Sequence, residues 1–160
     1  MSTAQEFVSH SPEETRQLGA RLGRLLAPGD VLLVEGQLGA GKTVFAQGVA
    51  SGLAVRDPVT SPTFTIIHEY AGRLPFFHVD LYRVAGEADA AAVGLEDYLA
   101  DSGVVLVEWP DRAAGVMPAD HLSVSLTFSE PGGPRLIRMR AGGARAAALL
   151  RGLAPPDGGS

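Results

Sequence analysis

The chain has 160 residues, 46% of them hydrophobic, which is enough for one core and one domain. Its net charge of -5 gives no basic surface for direct nucleic-acid binding, and the absence of cysteine excludes disulfides and thiolate metal sites. Residues 1–10 lack an apolar h-region, and no apolar run approaches the ~20 residues that cross a bilayer, so a cytoplasmic protein with no membrane contact is expected.

The first predicted helix opens at Ser11. Ser11 is its N-cap, Pro12 its first helical residue, and Glu14 closes a capping box; Leu18, Leu22, Leu25 and Leu26 then form an apolar stripe. Residues 31–34 are a continuous apolar run after the turn signal Pro28-Gly29-Asp30, and read as a buried strand. Gly36-Gln37-Leu38-Gly39-Ala40-Gly41-Lys42-Thr43 follows, matching the G-x-x-x-x-G-K-[ST] pattern of a P-loop. Residues 42–53 lack proline and carry Val44, Phe45, Val49 and Leu53, an acceptable helix weakened by Gly48 and Gly52. Strand, glycine-rich loop and helix thus occur in the order a phosphate-binding loop requires.

Lysine occurs once, at Lys42, and the other twelve of the 13 basic side chains are arginine. A P-loop needs a compact ammonium along the phosphate chain, where a planar guanidinium fits poorly. The expected cradle is the backbone of Leu38, Gly39, Ala40, Gly41, Lys42 and Thr43, aided by the positive end of the helix. Lys42 would reach the β- and γ-phosphates, and the Thr43 hydroxyl would hold Mg²⁺.

Further on, residues 57–62 read as a loop, 63–70 as a strand, 71–73 as a hairpin turn and 75–82 as a second strand. Residues 83–99 read as an interrupted helix. Residues 104–107 are a second wholly apolar strand, expected to be central and parallel to the first. A proline-marked loop leads to the half-buried strand 122–128, a turn over 130–134, an antiparallel partner over 135–140 and a last helix over 144–153. The expected domain is 1–153, with 154–160 a frayed tail. The architecture is α/β, a mixed parallel and antiparallel sheet flanked by helices, with little room for a lid.

Several polar residues stand out against this frame. Glu108 ends the apolar strand at the Walker-B position beside the P-loop, where it would meet the metal directly or through water. In His78-Val79-Asp80-Leu81-Tyr82-Arg83, strand alternation places His78, Asp80 and Tyr82 on one face. Asp80 is a candidate second metal-shell ligand or orienter of the attacking water, and a structural network is the alternative. His78 is read as structural. Thr63, in Ser61-Pro62-Thr63-Phe64-Thr65, lies where a switch residue would sense the γ-phosphate. Arg135 falls on an apolar strand face and wants an anion or an aromatic partner. Trp109, the lone tryptophan, is core packing or a reporter of the nearby site.

Gly39-Ala40-Gly41-Lys42-Thr43, Ser61-Pro62-Thr63-Phe64, His78 to Arg83, and Glu108-Trp109-Pro110, in that order and spacing, resemble the TsaE family, the bacterial ATPases of tRNA threonylcarbamoyladenosine biosynthesis. The resemblance covers about residues 11–140. It implies a single-domain P-loop NTPase with ATP and Mg²⁺ as cofactors. It also implies weak ATP hydrolysis alone, activation by the TsaB–TsaD heterodimer, and contact with tRNA only through that complex. By the same resemblance, Lys42 and Thr43 bind phosphate and metal, Glu108 sits at the metal, and Asp80 is needed for hydrolysis. Thr63 is the switch and Arg135 touches the nucleotide. Gln37 departs from the family's frequent aspartate at a side chain outside the cradle. Rival readings are a small-molecule kinase with Asp80 as base, and a noncatalytic ATP/ADP-sensing module. A GTPase would need a second lysine for guanine recognition, and the chain has none.

Overall fold

The computed structural model describes residues 3–37, 39–60, 67–83, 94–99 and 102–153. The strands are β1 (Ala4–Ser9), β2 (Val31–Gly36), β3 (Ile67–Ala71), β4 (Pro75–Asp80), β5 (Val104–Glu108), β6 (Leu122–Thr127) and β7 (Arg135–Ala141). The helices are α1 (Pro12–Leu25), α2 (Lys42–Gly52), α3 (Leu95–Leu99) and α4 (Ala144–Leu153), with a 3₁₀ stretch over Pro110–Val116. One seven-stranded sheet runs in the order β1-β7-β6-β2-β5-β4-β3. The four central strands, β6, β2, β5 and β4, are parallel to one another. β1–β7, β7–β6 and β3–β4 pair antiparallel. The mixed α/β architecture and the central parallel β2–β5 pair are as expected.

Continuous apolar runs are what a strand covered on both faces needs. Leu32, Val34, Phe76, Val104 and Leu106 pack on one face against α1, α2 and α4. Val31, Leu33, Phe77, Val79, Val105 and Val107 form the other, smaller core with Leu95 and Ala113. Ser11 caps α1 as expected, its hydroxyl accepting the Glu14 N–H. Leu18, Leu22 and Leu26 are buried, whereas Leu25 is exposed on the far side of the stripe.

The helix glycines have a purpose the sequence alone presents only as a cost. α1 and α2 lie so close that a Cβ on Gly48 would stand 2.2 Å from the Arg16 carbonyl oxygen, and one on Gly23 2.3 Å from that of Val49. The absent side chains let α2, and the loop at its start, seat directly on α1.

Three expectations are corrected. The N-terminal segment, for which no element was expected, is strand β1, paired to β7 from Ala4↔Arg140 to Ser9↔Arg135. β4 ends at Asp80, so Tyr82 does not share its face: the Asp80 carboxylate accepts the Tyr82 N–H and turns the chain. Arg83, the expected start of a helix, lies in a turn, while Leu95–Leu99 near the expected end is helical, as α3. The end of the expected loop and the start of the expected strand over 61–66, the middle of that helix over 84–93 and the tail over 154–160 lie outside the described residues. No helix among the described residues is long and apolar enough to cross a membrane.

Candidate functional site

The P-loop links the C-terminal end of β2 to α2. Its turn uses Gly39 at φ 83° and Gly41 at φ 102°, left-handed conformations that disfavour any residue with a Cβ. Ala40 N–H donates to the Gln37 carbonyl at 3.1 Å, closing the loop on itself. Gly41 is the N-cap, and its carbonyl accepts the first helical bond from Phe45 N–H at 2.9 Å. The amides of the first turn therefore have no intrahelical acceptor and are left for a ligand or solvent.

Lys42 is buried, with its ammonium donating to the Gly36 carbonyl at 2.6 Å and lying 4.3 Å from the centre of the Trp109 ring. This arrangement stabilises a desolvated cation with one strong hydrogen bond and an aromatic face. Trp109 itself has φ 59°, and its ring meets that of Tyr82 at 4.9 Å. Half-buried, it packs against the smaller core and covers the P-loop lysine.

The sheet register brings the acids to the same place. Asp80 pairs with Glu108 across β4–β5, and both strands end there. Glu108 is buried, and its Oε2 lies 2.5 Å from His78 Nε2, which is fully buried. Asp80 is half-buried, and burial raises its pKa. The Tyr82 N–H opposes that rise, the Glu108 charge adds to it, and His78 and Lys42 oppose it more weakly.

Lys42, Thr43, Asp80, Glu108 and Trp109, with Gly39 and Gly41, line one cleft of about 370 Å³. Across the P-loop lies a second cavity of about 280 Å³, lined by Gly39, Ala40, Gly41, Arg135 and, from β1 and α1, Ser9, Ser11 and Thr15. There the Thr15 and Ser9 hydroxyls are 2.7 Å apart, and Ser9 donates to the Ser11 carbonyl at 2.8 Å. Arg135 finds the expected aromatic partner, its guanidinium 4.4 Å from the Phe128 ring. It also donates to the Gly133 carbonyl at 2.6 Å and the Gly39 carbonyl at 3.1 Å, tying the β6–β7 turn to the P-loop.

Of the predicted site residues, Lys42, Thr43, Asp80 and Glu108 thus converge, while Arg135 joins them through the shared loop. Leu38 and Thr63 lie outside the described residues. Sequence reasoning set His78 aside and did not find Ser9 and Thr15. His78 carried a signal, a polar residue on a buried strand face, but its partner is 30 positions away. Ser9 and Thr15 carried none without β1.

Residues 9–135 match the family described as "Threonylcarbamoyl adenosine biosynthesis protein TsaE". A protein of Treponema pallidum named tRNA threonylcarbamoyladenosine biosynthesis protein TsaE is 40% identical over 119 residues, covering 74% of this chain and 88% of its own. The protein of that name from Bacillus subtilis is 44% identical over 115 residues, covering 71% and 72%. The crystal structure of Bacillus subtilis YdiB superposes with a TM-score of 0.83 at 36% identity, covering 96% of this chain and 95% of that one. The fold, the P-loop with its converging carboxylates and these likenesses agree, and the chain belongs to the TsaE family.

Proposed function

We propose that this protein is the ATP-binding, weakly ATP-hydrolysing accessory subunit of cytoplasmic tRNA threonylcarbamoyladenosine modification, activated by the TsaB–TsaD heterodimer and needed for its turnover. The observation that carries the reading is the single cleft holding Lys42, Thr43, Asp80 and Glu108 at the ends of β2, β4 and β5. In parallel α/β sheets this is where ligands bind. tRNA contact is through the complex, which suits the net charge of -5.

In this reading the P-loop amides and Lys42 bind the β- and γ-phosphates, and Lys42 exchanges its Gly36 carbonyl for phosphate oxygen. The second cavity, on the other side of Gly39 and Gly41, receives the nucleoside, with Arg135 beside it. Asp80 accepts a hydrogen bond from the attacking water and orients it. The residues fit Mg²⁺. Among the described residues no three acidic or histidine side chains form a closed metal cage, and Mg²⁺ characteristically takes one or two protein oxygens and completes its shell with phosphate and water. Thr43 and Glu108 would supply those oxygens, and the ion would neutralise charge on the phosphates. Thr63 is assigned the γ-phosphate switch.

ATP hydrolysis by the purified protein, alone and with TsaB–TsaD, tests the proposal. Slow turnover that rises with the pair is expected. Tight ATP binding without hydrolysis in either case would replace it with a nucleotide-sensing module.

A further inference from the structure

Resting on the Mg²⁺–ATP reading of the cleft, we propose that His78 is a positioning residue. It holds one oxygen of the Glu108 carboxylate so that the other is presented to the metal and phosphate site. His78 and Glu108 come from adjacent parallel strands, two register positions apart, on the face that carries α2. Both are buried, and the imidazole stacks on Phe76 at 6.3 Å between ring centres, which fixes its plane. Nε2 meets Glu108 Oε2 at 2.5 Å. A carboxylate only accepts, so Nε2 carries the hydrogen and donates. Nδ1 is buried with no hydrogen-bond partner among the described residues. The ring's one engaged polar atom therefore serves Glu108 alone.

A carboxylate at the end of a strand would otherwise rotate about its last two side-chain bonds. Anchoring Oε2 leaves Oε1 as the free ligand, and Glu108 already lines the cleft with Lys42 and Thr43. Partners that orient a metal-binding carboxylate typically change metal affinity 10–100-fold when removed. A histidine that merely fills the core would be replaced by leucine without any metal-dependent effect.

The test is calorimetric titration of ADP at a series of Mg²⁺ concentrations, on the wild type, H78L, H78Q, H78N and E108Q. Glutamine places an amide N–H at the reach of imidazole Nε2; asparagine is too short for Glu108. H78L and H78N are expected to need roughly 10–100-fold more Mg²⁺, with metal-free ADP affinity unchanged, while H78Q stays within about threefold of wild type. In the E108Q background, H78L should add nothing. Should H78L fail to fold, the H78Q and H78N pair gives the same contrast. A Mg²⁺ response in H78L equal to wild type, an equal loss in H78Q and H78N, or an undiminished H78L effect in E108Q would each overturn the positioning role. A wild type that binds no ADP would overturn the nucleotide reading and this inference with it; normal wild-type binding with unmoved variants overturns the inference alone.

Discussion

The two ends of the parallel strands use charge in opposite ways. At the N-terminal ends the charges complete one another. Asp30, buried before β2, receives Arg145 Nε at 3.0 Å and Nη2 at 2.9 Å, and also the Ala27 N–H at 2.7 Å. Arg145 Nη2 further donates to the Leu25 carbonyl, and its pKa is raised, chiefly by the hydrogen bonds to Asp30. Asp120 accepts the first amides of α4, and Arg73 donates to the Gly23, Arg24 and Leu26 carbonyls at the C-terminal end of α1. At the C-terminal ends, Asp80 and Glu108 are side by side with like charge, and Lys42 reaches neither, turning to a carbonyl and a ring instead. One end spends its charges on joining helices to the sheet. The other keeps them adjacent to a cleft at some cost, as sites of ligand binding commonly do.

That contrast predicts separable failures. The largest is Arg145→Ala, which strands the buried Asp30 carboxylate. Because Arg145 is itself partly exposed, the cost is set at about 2–3 kcal/mol, or roughly 5–10 °C in Tm for a chain of this length. ATP affinity should not move. Thermal melts with parallel ATP titrations check this, and a variant with normal Tm but weakened ATP binding would erase the distinction between the ends. Lys42→Ala is the converse. Losing a charge-assisted contact to phosphate, worth about 1.5–3 kcal/mol, should weaken ATP roughly 10–100-fold with little change in Tm. Because the lysine lies on Trp109, intrinsic fluorescence should respond to ATP in the wild type and lose most of that response in the variant. Near-normal ATP affinity would remove the P-loop reading.

The same contrast explains what the sequence made legible. The P-loop was readable because its requirements are local: two left-handed glycines, one lysine and a buried strand before them. Glu108 was readable because the end of an apolar run marks the end of a central strand. β1 was not, since it is a sheet-edge strand with Val8 exposed, held by main-chain pairing to β7 and by the ion pair of Arg138 with Glu6 rather than by an alternating apolar pattern. Gly48 and Gly52 looked like helix weaknesses because propensity is intrinsic, while the close α1–α2 approach that needs them, together with Gly19 and Gly23 on α1, is tertiary. Tyr82 was misplaced by extending alternation past Asp80, where one side-chain hydrogen bond ends the strand. His78 was discounted because its partner arrives only when β4 and β5 pair.

Asp80→Asn sharpens the comparison most finely, for it should lose function and gain stability. Burial and Glu108 raise the Asp80 pKa above its ordinary 3.8, so the folded state holds this proton more tightly than the unfolded chain. Stability tied to Asp80 therefore declines as pH rises from the unfolded value through the folded one, and the deficit is complete above it. Asparagine removes the deficit while its side-chain oxygen still accepts the Tyr82 N–H. At pH 7 the variant should melt no more than about 3 °C above wild type, because half-exposure screens the penalty. The gain should shrink on acidification and vanish below pH 3.8. ATP binding should persist while turnover with TsaB–TsaD falls by about 10²-fold or more. A variant less stable than wild type at pH 7 would mean that Asp80 belongs with Asp30 and Asp120, among the charges that hold the fold, and not with those held at the cleft.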